Sequence, residues 1–130
     1  MLTREPLTKS YDPPAGDPGE GAFVAEADGA IVGFGCVEPP AWNGRGAVTH
    51  LYVAPSYRRQ GVGQALLDSL DDHARAAGAR CLFVETQNVN YPAVRFYLAR
   101  SFALVGLDQS YDDPIEHPGE IALFLTRSLT

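Results

Sequence analysis

Long apolar runs are missing from this chain of 130 residues. No stretch approaches the roughly 18–20 apolar residues that a membrane-spanning helix needs. The first residues, MLTREPLTKSYDPP, also lack the apolar segment of a secretory signal peptide. Both absences favour a protein that works in the cytoplasm and does not act at a membrane.

Basic residues are scarce as well. The chain has 10 Lys and Arg residues against 16 Asp and Glu residues, which gives a formal net charge of -6. Nucleic-acid binding requires a basic face that neutralises phosphates, so this balance argues against a nucleic-acid partner. An acidic surface attracts cationic substrates instead, although solubility alone also explains the charge.

Cysteine occurs only at Cys36 and Cys81, each inside an apolar run. The pair lacks the spacing of a zinc motif, and no histidine is placed to complete one. We therefore expect no metal site, and we expect both cysteines to pack as small buried side chains.

The patterns that are present indicate one domain. Residues 1–20 are rich in Pro, Gly, Asp and Glu, which predicts a loop or tail, and residues 21–130 carry periodic apolar segments. Two β-prone runs flank Asp28-Gly29, which is a strong hairpin signal. A strand, a helix, a strand, a helix and two strands follow, so we expect an α/β or α+β domain with a mixed sheet. The strand between the two helices, RCLFVET, is predicted to be a continuous apolar strand of the buried kind.

Glycines open the first predicted helix, in the stretch RRQGVGQALL at residues 58–67. Val62, Leu66, Leu70 and Ala74 recur every four residues, with Ala77 three further on, as in an amphipathic helix. The N–H groups at a helix N-terminus attract anions, and glycines let the backbone approach them closely. The stretch therefore predicts a phosphate-binding loop, although a glycine-bearing loop that merely starts a helix is the alternative.

The same region resembles motif A of the GNAT acetyltransferases. LYVAPSYRRQGVGQALL contains the signature Gln/Arg-x-x-Gly-x-Gly/Ala, with Arg58, Gly61 and Gly63 at its three fixed positions. Gln64 and Ala65 follow, where a nucleoside-triphosphate loop would require Lys and Ser or Thr. A nucleotide-binding switch protein is therefore a distant alternative.

A downstream segment, NYPAVRFYLARSF, resembles motif B of the same family, and four of its residues match: Asn90, Ala93, Tyr97 and Phe102. Ser101 stands where the family usually has glycine. The run VETQNVNYPAVRFY is similar to the streptothricin acetyltransferase branch, whose members carry a similar Glu-Thr-Gln-Asn. The two motifs together extend the resemblance over about residues 22–127.

The resemblance implies the GNAT fold, in which a mixed central sheet splays two parallel strands apart. The N-terminal strand and helices of the family are abbreviated or missing, because only about twenty residues precede the hairpin. Those elements normally wall one side of the acceptor site. The site is therefore unusually open, or covered by a partner subunit, or the chain is a truncated form.

The resemblance also implies acetyl-CoA as the cosubstrate. Its pantetheine would pair with backbone N–H groups near Leu51 and Val53, and its pyrophosphate would bind the phosphate loop. The cofactor-binding residues implied in this way are Leu51, Val53, Arg58, Arg59, Gln60, Gly61, Val62, Gly63, Asn90 and Tyr97.

Acyl transfer to an amine needs a base for the ammonium proton and an acid for the leaving thiolate. The resemblance makes Tyr97 the general acid, with packing on the sheet as the alternative. Glu85 and His50 compete for the role of base. Glu85 is favoured over His50, because a lone histidine on a strand is more often a packing residue.

The expected partner is a small-molecule or peptide amine, and a homodimer is also expected from the family. Acidic residues between the last two strands are candidates to attract a cationic acceptor: Asp112, Asp113, Glu116 and Glu120. Four aromatic residues are unranked candidates for the acceptor pocket: Trp42, Tyr52, Tyr91 and Tyr111. A non-catalytic CoA-binding or sensing module, or a domain that needs a partner chain, would share most of these features.

Overall fold

The computed structural model describes residues 8–10 and 21–130. The chain forms two compact units, and the second begins at Phe83 and ends at Ser128. In the first unit, the described residues before α1 form strands in the order β1-β2-β3-β4, each antiparallel to the next. Their bounds are Thr8–Ser10, Ala22–Ala27, Ala30–Val37 and Arg45–Val53. A short 3-10 helix, Pro55–Tyr57, and helix α1, Val62–Ala76, follow.

A two-residue turn joins β2 to β3, as the sequence predicts. Asp28 and Gly29 have φ values of 53° and 78°, and Ala27 pairs with Ala30 across the turn. Two consecutive positive φ values are the signature of a type I′ turn, whose twist matches that of the flanking strands. Glycine adopts this conformation without a steric penalty, and aspartate tolerates it better than most residues.

Helix α1 buries the predicted apolar stripe. Val62, Leu66, Leu70 and Ala74 are at most 2% exposed, and Val62 and Leu66 pack in a cluster with residues of β2 and β3. The sequence also assigned Ala77 to this stripe, but Ala77 is exposed. The helix ends at Ala76, so the helical periodicity no longer applies at Ala77.

Glycines on β3 let α1 approach the sheet closely. A Cβ added at Gly33 would lie 2.7 Å from the carbonyl oxygen of Tyr52 and 3.1 Å from Cδ1 of Leu66. A Cβ added at Gly35 would lie 3.2 Å from Cδ1 of Leu70. The face of β3 that carries Gly33 and Gly35 is therefore the face that α1 covers.

The second unit contains helix α2 and a small sheet. Strand β5 (Cys81–Gln87) begins in the first unit and continues into the second. Helix α2 (Tyr91–Ala99), strand β6 (Ala103–Asp108) and strand β7 (Ala122–Ser128) follow. The strand order is β5-β7-β6, with β6 and β7 antiparallel. The sequence predicts β5 to be buried throughout. The structure corrects this prediction, because Glu85 is exposed between buried neighbours Val84 and Thr86.

The N-terminal prediction of a loop is wrong at Thr8–Ser10, which form β1 and pair with Ala25, Val24 and Phe23 of β2. Backbone pairing to the sheet outweighs the local composition there. The rest of the predicted loop, residues 1–7 and 11–20, lies outside the described residues.

Both cysteines are buried and free, as expected. Burial raises the pKa of the Cys36 thiol, which keeps it protonated. Within residues 8–10 and 21–130, no helix is long and apolar enough to cross a membrane.

Candidate active site

The segment that the sequence predicts to bind phosphate, which we call the phosphate loop, leads into the N-terminus of α1. Gly61 is its N-cap residue, in the left-handed region with φ 87° and ψ 1°. No side chain in the described part of the chain caps this helix, and its first turn contains no acidic residue. The partial positive charge of the helix therefore faces outward without a compensating side chain, which is the arrangement that anions bind.

The residues before Gly61 hold the loop in shape. Arg58 donates from Nε to the carbonyl oxygen of Val53 at 3.0 Å, so it ties the loop to the end of β4. Gln60 donates from Nε2 to the carbonyl oxygen of Ser56 at 3.0 Å. Arg59 is exposed, and its φ of 62° places it in the left-handed region. The structure thus assigns Arg58 an anchoring contact that the sequence did not predict.

The three predicted site residues on β4 point to different faces. Leu51 and Val53 pack with the cluster that contains Val62 and Leu66 of α1. His50 pairs with Cys36 on β3, one position away from Gly35 and Leu51, so its side chain lies on the opposite face. The predicted contacts of the backbone of Leu51 and Val53 with a cosubstrate stay a prediction.

His50 is exposed and lies beside an aromatic ring. Its ring centroid is 5.7 Å from that of Phe34, and its Nδ1 is 3.1 Å from Oγ1 of Thr49. Tyr52 stands on the same face, 6.3 Å from Phe34. These contacts fit a packing role for His50, and its role as a base stays a prediction.

Glu85 is exposed on β5 and has two polar neighbours in the second unit. Gln87 donates from Nε2 to Oε2 of Glu85 at 3.3 Å. Tyr111, from the connection between β6 and β7, lies within hydrogen-bonding reach of Glu85. The charge of Glu85 and its hydrogen bonding raise the pKa of Tyr111 most, followed by desolvation and the charges of Asp112 and Asp108.

The proximity of Tyr111 to Glu85 distinguishes it from the other aromatic candidates for the acceptor pocket. Trp42 is 96% exposed, and Tyr91 is 71% exposed at the first position of α2. Tyr52 packs on Phe34 in the first unit. The sequence could not rank these four residues, because Tyr111 and Glu85 are 26 positions apart.

Tyr97 lies inside the second unit. It is 8% exposed, and its ring meets that of Phe102 edge to face at a centroid distance of 5.1 Å. Burial raises its pKa to about 12, because the phenolate is poorly solvated there. Tyr97 therefore keeps its proton at neutral pH, which both of its predicted roles, general acid and packing residue, allow.

Asn90 caps α2. Its Oδ1 accepts a hydrogen bond from the backbone N–H of Ala93 at 3.3 Å. Asn90 therefore stabilises the start of α2. Its amide Nδ2 is the group that would make the predicted contact with the cosubstrate.

The acidic connection between β6 and β7 is ordered by its own carboxylates. Oδ1 of Asp113 accepts from the N–H of Ile115 at 2.9 Å. Glu120 pairs with His117, whose Nδ1 lies 2.9 Å from its Oε2. Two of the four predicted attractors, Asp113 and Glu120, are therefore partly engaged in local contacts, whereas Glu116 is exposed.

Asn88 is a residue whose role the sequence did not predict. Its backbone N–H donates to the carbonyl oxygen of Ile121 at 2.9 Å, and its Oδ1 accepts from the N–H of Ile121 at 2.7 Å. Its Nδ2 donates to the carbonyl oxygen of Gly119 at 3.5 Å. The sequence predicts only that Asn88 lies in a turn. No local signal indicates its contacts, because the partner residues are more than 30 positions away.

The described residues contain no group of three or more His, Cys, Asp or Glu side chains that could hold a metal ion. The phosphate loop and the β4 residues belong to the first unit, and Glu85, Asn90 and Tyr97 belong to the second.

Comparison with known proteins agrees with the sequence motifs. Residues 2–102 match the Acetyltransferase (GNAT) family. Streptothricin acetyltransferase from Streptomyces lavendulae is 38% identical, in an alignment that covers 93% of this chain and 70% of the relative.

Two solved structures share the fold. The crystal structure of a nourseothricin acetyltransferase is 39% identical with a TM-score of 0.79, over 84% of this chain and 65% of the other. A Bacillus anthracis protein in complex with acetyl coenzyme A is 22% identical with a TM-score of 0.77, over 98% of this chain and 65% of the other. The predicted α+β GNAT fold is confirmed, and the chain spans about two thirds of the length of these relatives.

Proposed function

Because the chain belongs to the GNAT family of acetyltransferases, we propose that it transfers an acetyl group from acetyl-CoA to a primary amine. The amine nitrogen attacks the thioester carbonyl directly, the C–S bond breaks, and CoA leaves as the free thiol. The single observation that carries the proposal is the N-terminus of α1. There Gly61 adopts the left-handed conformation, and no side chain in the described residues caps the helix.

This loop fits the pyrophosphate of acetyl-CoA. The residues proposed to hold it are the backbone N–H groups of Arg59, Gln60, Gly61, Val62 and Gly63. A helix N-terminus without a capping carboxylate supplies partial positive charge, and glycine at the cap leaves room for phosphate oxygens. The exposed guanidinium of Arg59 adds charge of the sign that phosphate attracts.

Glu85 and Tyr97 are the proposed proton carriers. An alkyl ammonium has a pKa of about 10, so it must lose a proton before it can attack. Glu85 is exposed on β5 and accepts that proton, with His50 as the alternative base. Tyr97, whose pKa of about 12 keeps it protonated, donates to the leaving sulfur.

A streptothricin is the acceptor that we propose first. Support comes from the relatives, which are named for streptothricin and nourseothricin, and from the net charge of -6, which favours a cationic substrate. These relatives also favour catalysis over a non-catalytic CoA-binding module, because both are named acetyltransferases.

Amine-dependent release of CoA thiol tests the proposal, with streptothricin, polyamines and lysine peptides as acceptors. Saturable release with one acceptor is the expected result. Tight CoA binding without release from any amine would instead support a CoA-binding module.

Glu85→Gln should remove the acidic limb of the pH–rate profile, and an unchanged profile would transfer the role of base to His50.

The phosphate loop has a matched control at the other end of α1. Gly61→Ala should weaken CoA binding by about tenfold, because alanine is strained in the left-handed region by about 1–2 kcal/mol, so the free loop relaxes out of it and must recover it on binding. Gly78 has a φ of 90° and open space around it. Gly78→Ala therefore introduces comparable strain away from the loop, and it should leave the Kd of CoA unchanged in calorimetry.

We also propose that residues 21–130 act as a single acetyltransferase domain in the cytoplasm, where acetyl-CoA is available. A homodimer without a nucleic-acid partner is the assembly expected from the family and from the acidic charge balance. Light scattering of the purified chain tests the dimer, and cell fractionation tests the location.

A further inference from the structure

Glu85 lies on a polar and aromatic face of β5. Because side chains alternate along a strand, Phe83, Glu85 and Gln87 share one face, and the buried Val84 and Thr86 take the other. Gln87 donates to one carboxylate oxygen of Glu85 at 3.3 Å. A carboxylate offers about four lone-pair sites, so this contact leaves capacity for other donors.

Three rings pack together at this face of β5, and we call them the aromatic ledge: Phe83, Phe124 and Tyr111. Phe83 and Phe124 stack with centroids 5.8 Å apart and planes inclined by 13°. Tyr111 meets Phe124 edge to face at 5.9 Å and 74°, which places its hydroxyl within hydrogen-bonding reach of Glu85. The ledge therefore fixes where the Tyr111 hydroxyl lies.

Asn88 holds the connection that carries Tyr111. Its three hydrogen bonds to Gly119 and Ile121 fasten the end of this connection to the residue that follows β5. The other end begins with Asp108, whose Oδ1 accepts from the N–H of Ser110 at 2.9 Å. Tyr111 is thus placed between two hydrogen-bonded ends.

We propose that Tyr111 is a positioning residue that fixes the Glu85 carboxylate for the cationic amine of the acceptor, and that Asn88 holds Tyr111 in place. The proposal rests on the proposed function and assigns its specificity to three residues. A carboxylate held against aromatic rings suits an alkyl ammonium, which is attracted by negative charge and by ring faces. The run Glu-Thr-Gln-Asn at residues 85–88 then has a task at three of its positions, since Gln87 also bonds to Glu85.

Equilibrium binding of three amines tests the proposal: streptothricin, spermidine and lysine methyl ester. Each is titrated by calorimetry into CoA-saturated wild type and variants. Tyr111→Phe keeps the ring and removes the hydroxyl, and it should raise the Kd of a bound amine about tenfold, the loss expected for one hydrogen bond to a charged group. The Kd of CoA should not change. Asn88→Ala should raise the Kd of the amine in the same direction.

A double-mutant cycle separates positioning from general damage. If Tyr111 acts through Glu85, Tyr111→Phe should add little to the effect of Glu85→Gln. Ile115→Ala, in the same connection and 88% exposed, is the packing control. Glu38→Gln, exposed at the end of β3, is the charge control. Should Asn88→Ala fail to fold, Tyr111→Phe alone decides the test.

The outcomes for the two proposals differ. Amine binding that depends on Tyr111, without thiol release, would sustain this inference and overturn the proposed function. Thiol release with equal amine Kd values for wild type and Tyr111→Phe would do the reverse. Additive effects of Tyr111→Phe and Glu85→Gln, or no binding of any of the three amines to wild type, would overturn the inference.

Discussion

The buried phenol of Tyr97 makes the stability of this protein depend on alkaline pH. Its pKa is raised by burial from 10.0 to about 12, so the folded chain binds this proton more tightly than the unfolded chain does. The contribution is fully present below pH 10 and is lost as the pH rises from 10 to about 12. The total amounts to about 2–3 kcal/mol of unfolding free energy, at about 1.4 kcal/mol per pH unit within that window.

Chemical denaturation of wild type and Tyr97→Phe between pH 8 and 11.5 measures this contribution. Below pH 10 the two proteins should differ by a constant, because the phenol is neutral in both folded and unfolded chains. Above pH 10 the wild type should lose stability faster than the variant, which has no proton to lose at position 97. Tyr91→Phe is the matched control, since Tyr91 is 71% exposed, and it should run parallel to wild type.

Parallel curves for wild type and Tyr97→Phe across the whole range would refute the argument, because they would mean that burial does not perturb this phenol. The role of Tyr97 as a general acid has its own test: kcat should fall by about two orders of magnitude in Tyr97→Phe.

Two further predictions concern backbone geometry. Ser101 has a φ of 69° after α2, where glycine is favoured, so Ser101→Gly should stabilise the protein by about 1 kcal/mol in urea denaturation, and a loss of stability would contradict this interpretation. Gly33→Ala should cost about 1–3 kcal/mol, because its Cβ would lie 2.7 Å from the carbonyl oxygen of Tyr52. Gly106→Ala, whose Cβ would meet only Phe124 at 3.7 Å, is the control and should be nearly neutral. Equal losses for both alanine variants would refute the close-packing argument.

Local signals in the sequence predict the parts of this fold that local physics decides. The Asp28-Gly29 turn needs only two positive φ values, and the α1 stripe needs only a helical period, so both are confirmed. The departure from motif B at Ser101 is also understandable from the backbone. The residue before Phe102 must adopt a positive φ, and serine does so at a cost that glycine would avoid.

The structural features that the sequence did not predict depend on contacts between residues far apart in the chain. Strand β1 exists because Thr8–Ser10 pair with β2, whereas the composition around them indicates a loop. Glu85 meets Tyr111, and Asn88 meets Ile121, through a connection whose path no periodicity specifies. The motifs could therefore indicate the glycine-bearing start of α1, which is one continuous segment, but not the surroundings of Glu85.

Asn90 has an observed role as the cap of α2 and a predicted role in binding the cosubstrate, and variants can separate the two. Its Oδ1 accepts from the N–H of Ala93, and its Nδ2 is the group that can donate to a cosubstrate. An aspartate at this position would cap α2 as well as asparagine does but would have no N–H₂ group to donate. Asn90→Asp should therefore keep the free energy of unfolding within about 0.5 kcal/mol and raise the Kd of acetyl-CoA severalfold. Asn90→Ala should lower the unfolding free energy by about 1 kcal/mol as well. If Asn90→Asp binds acetyl-CoA like wild type in calorimetry, this asparagine serves the helix alone.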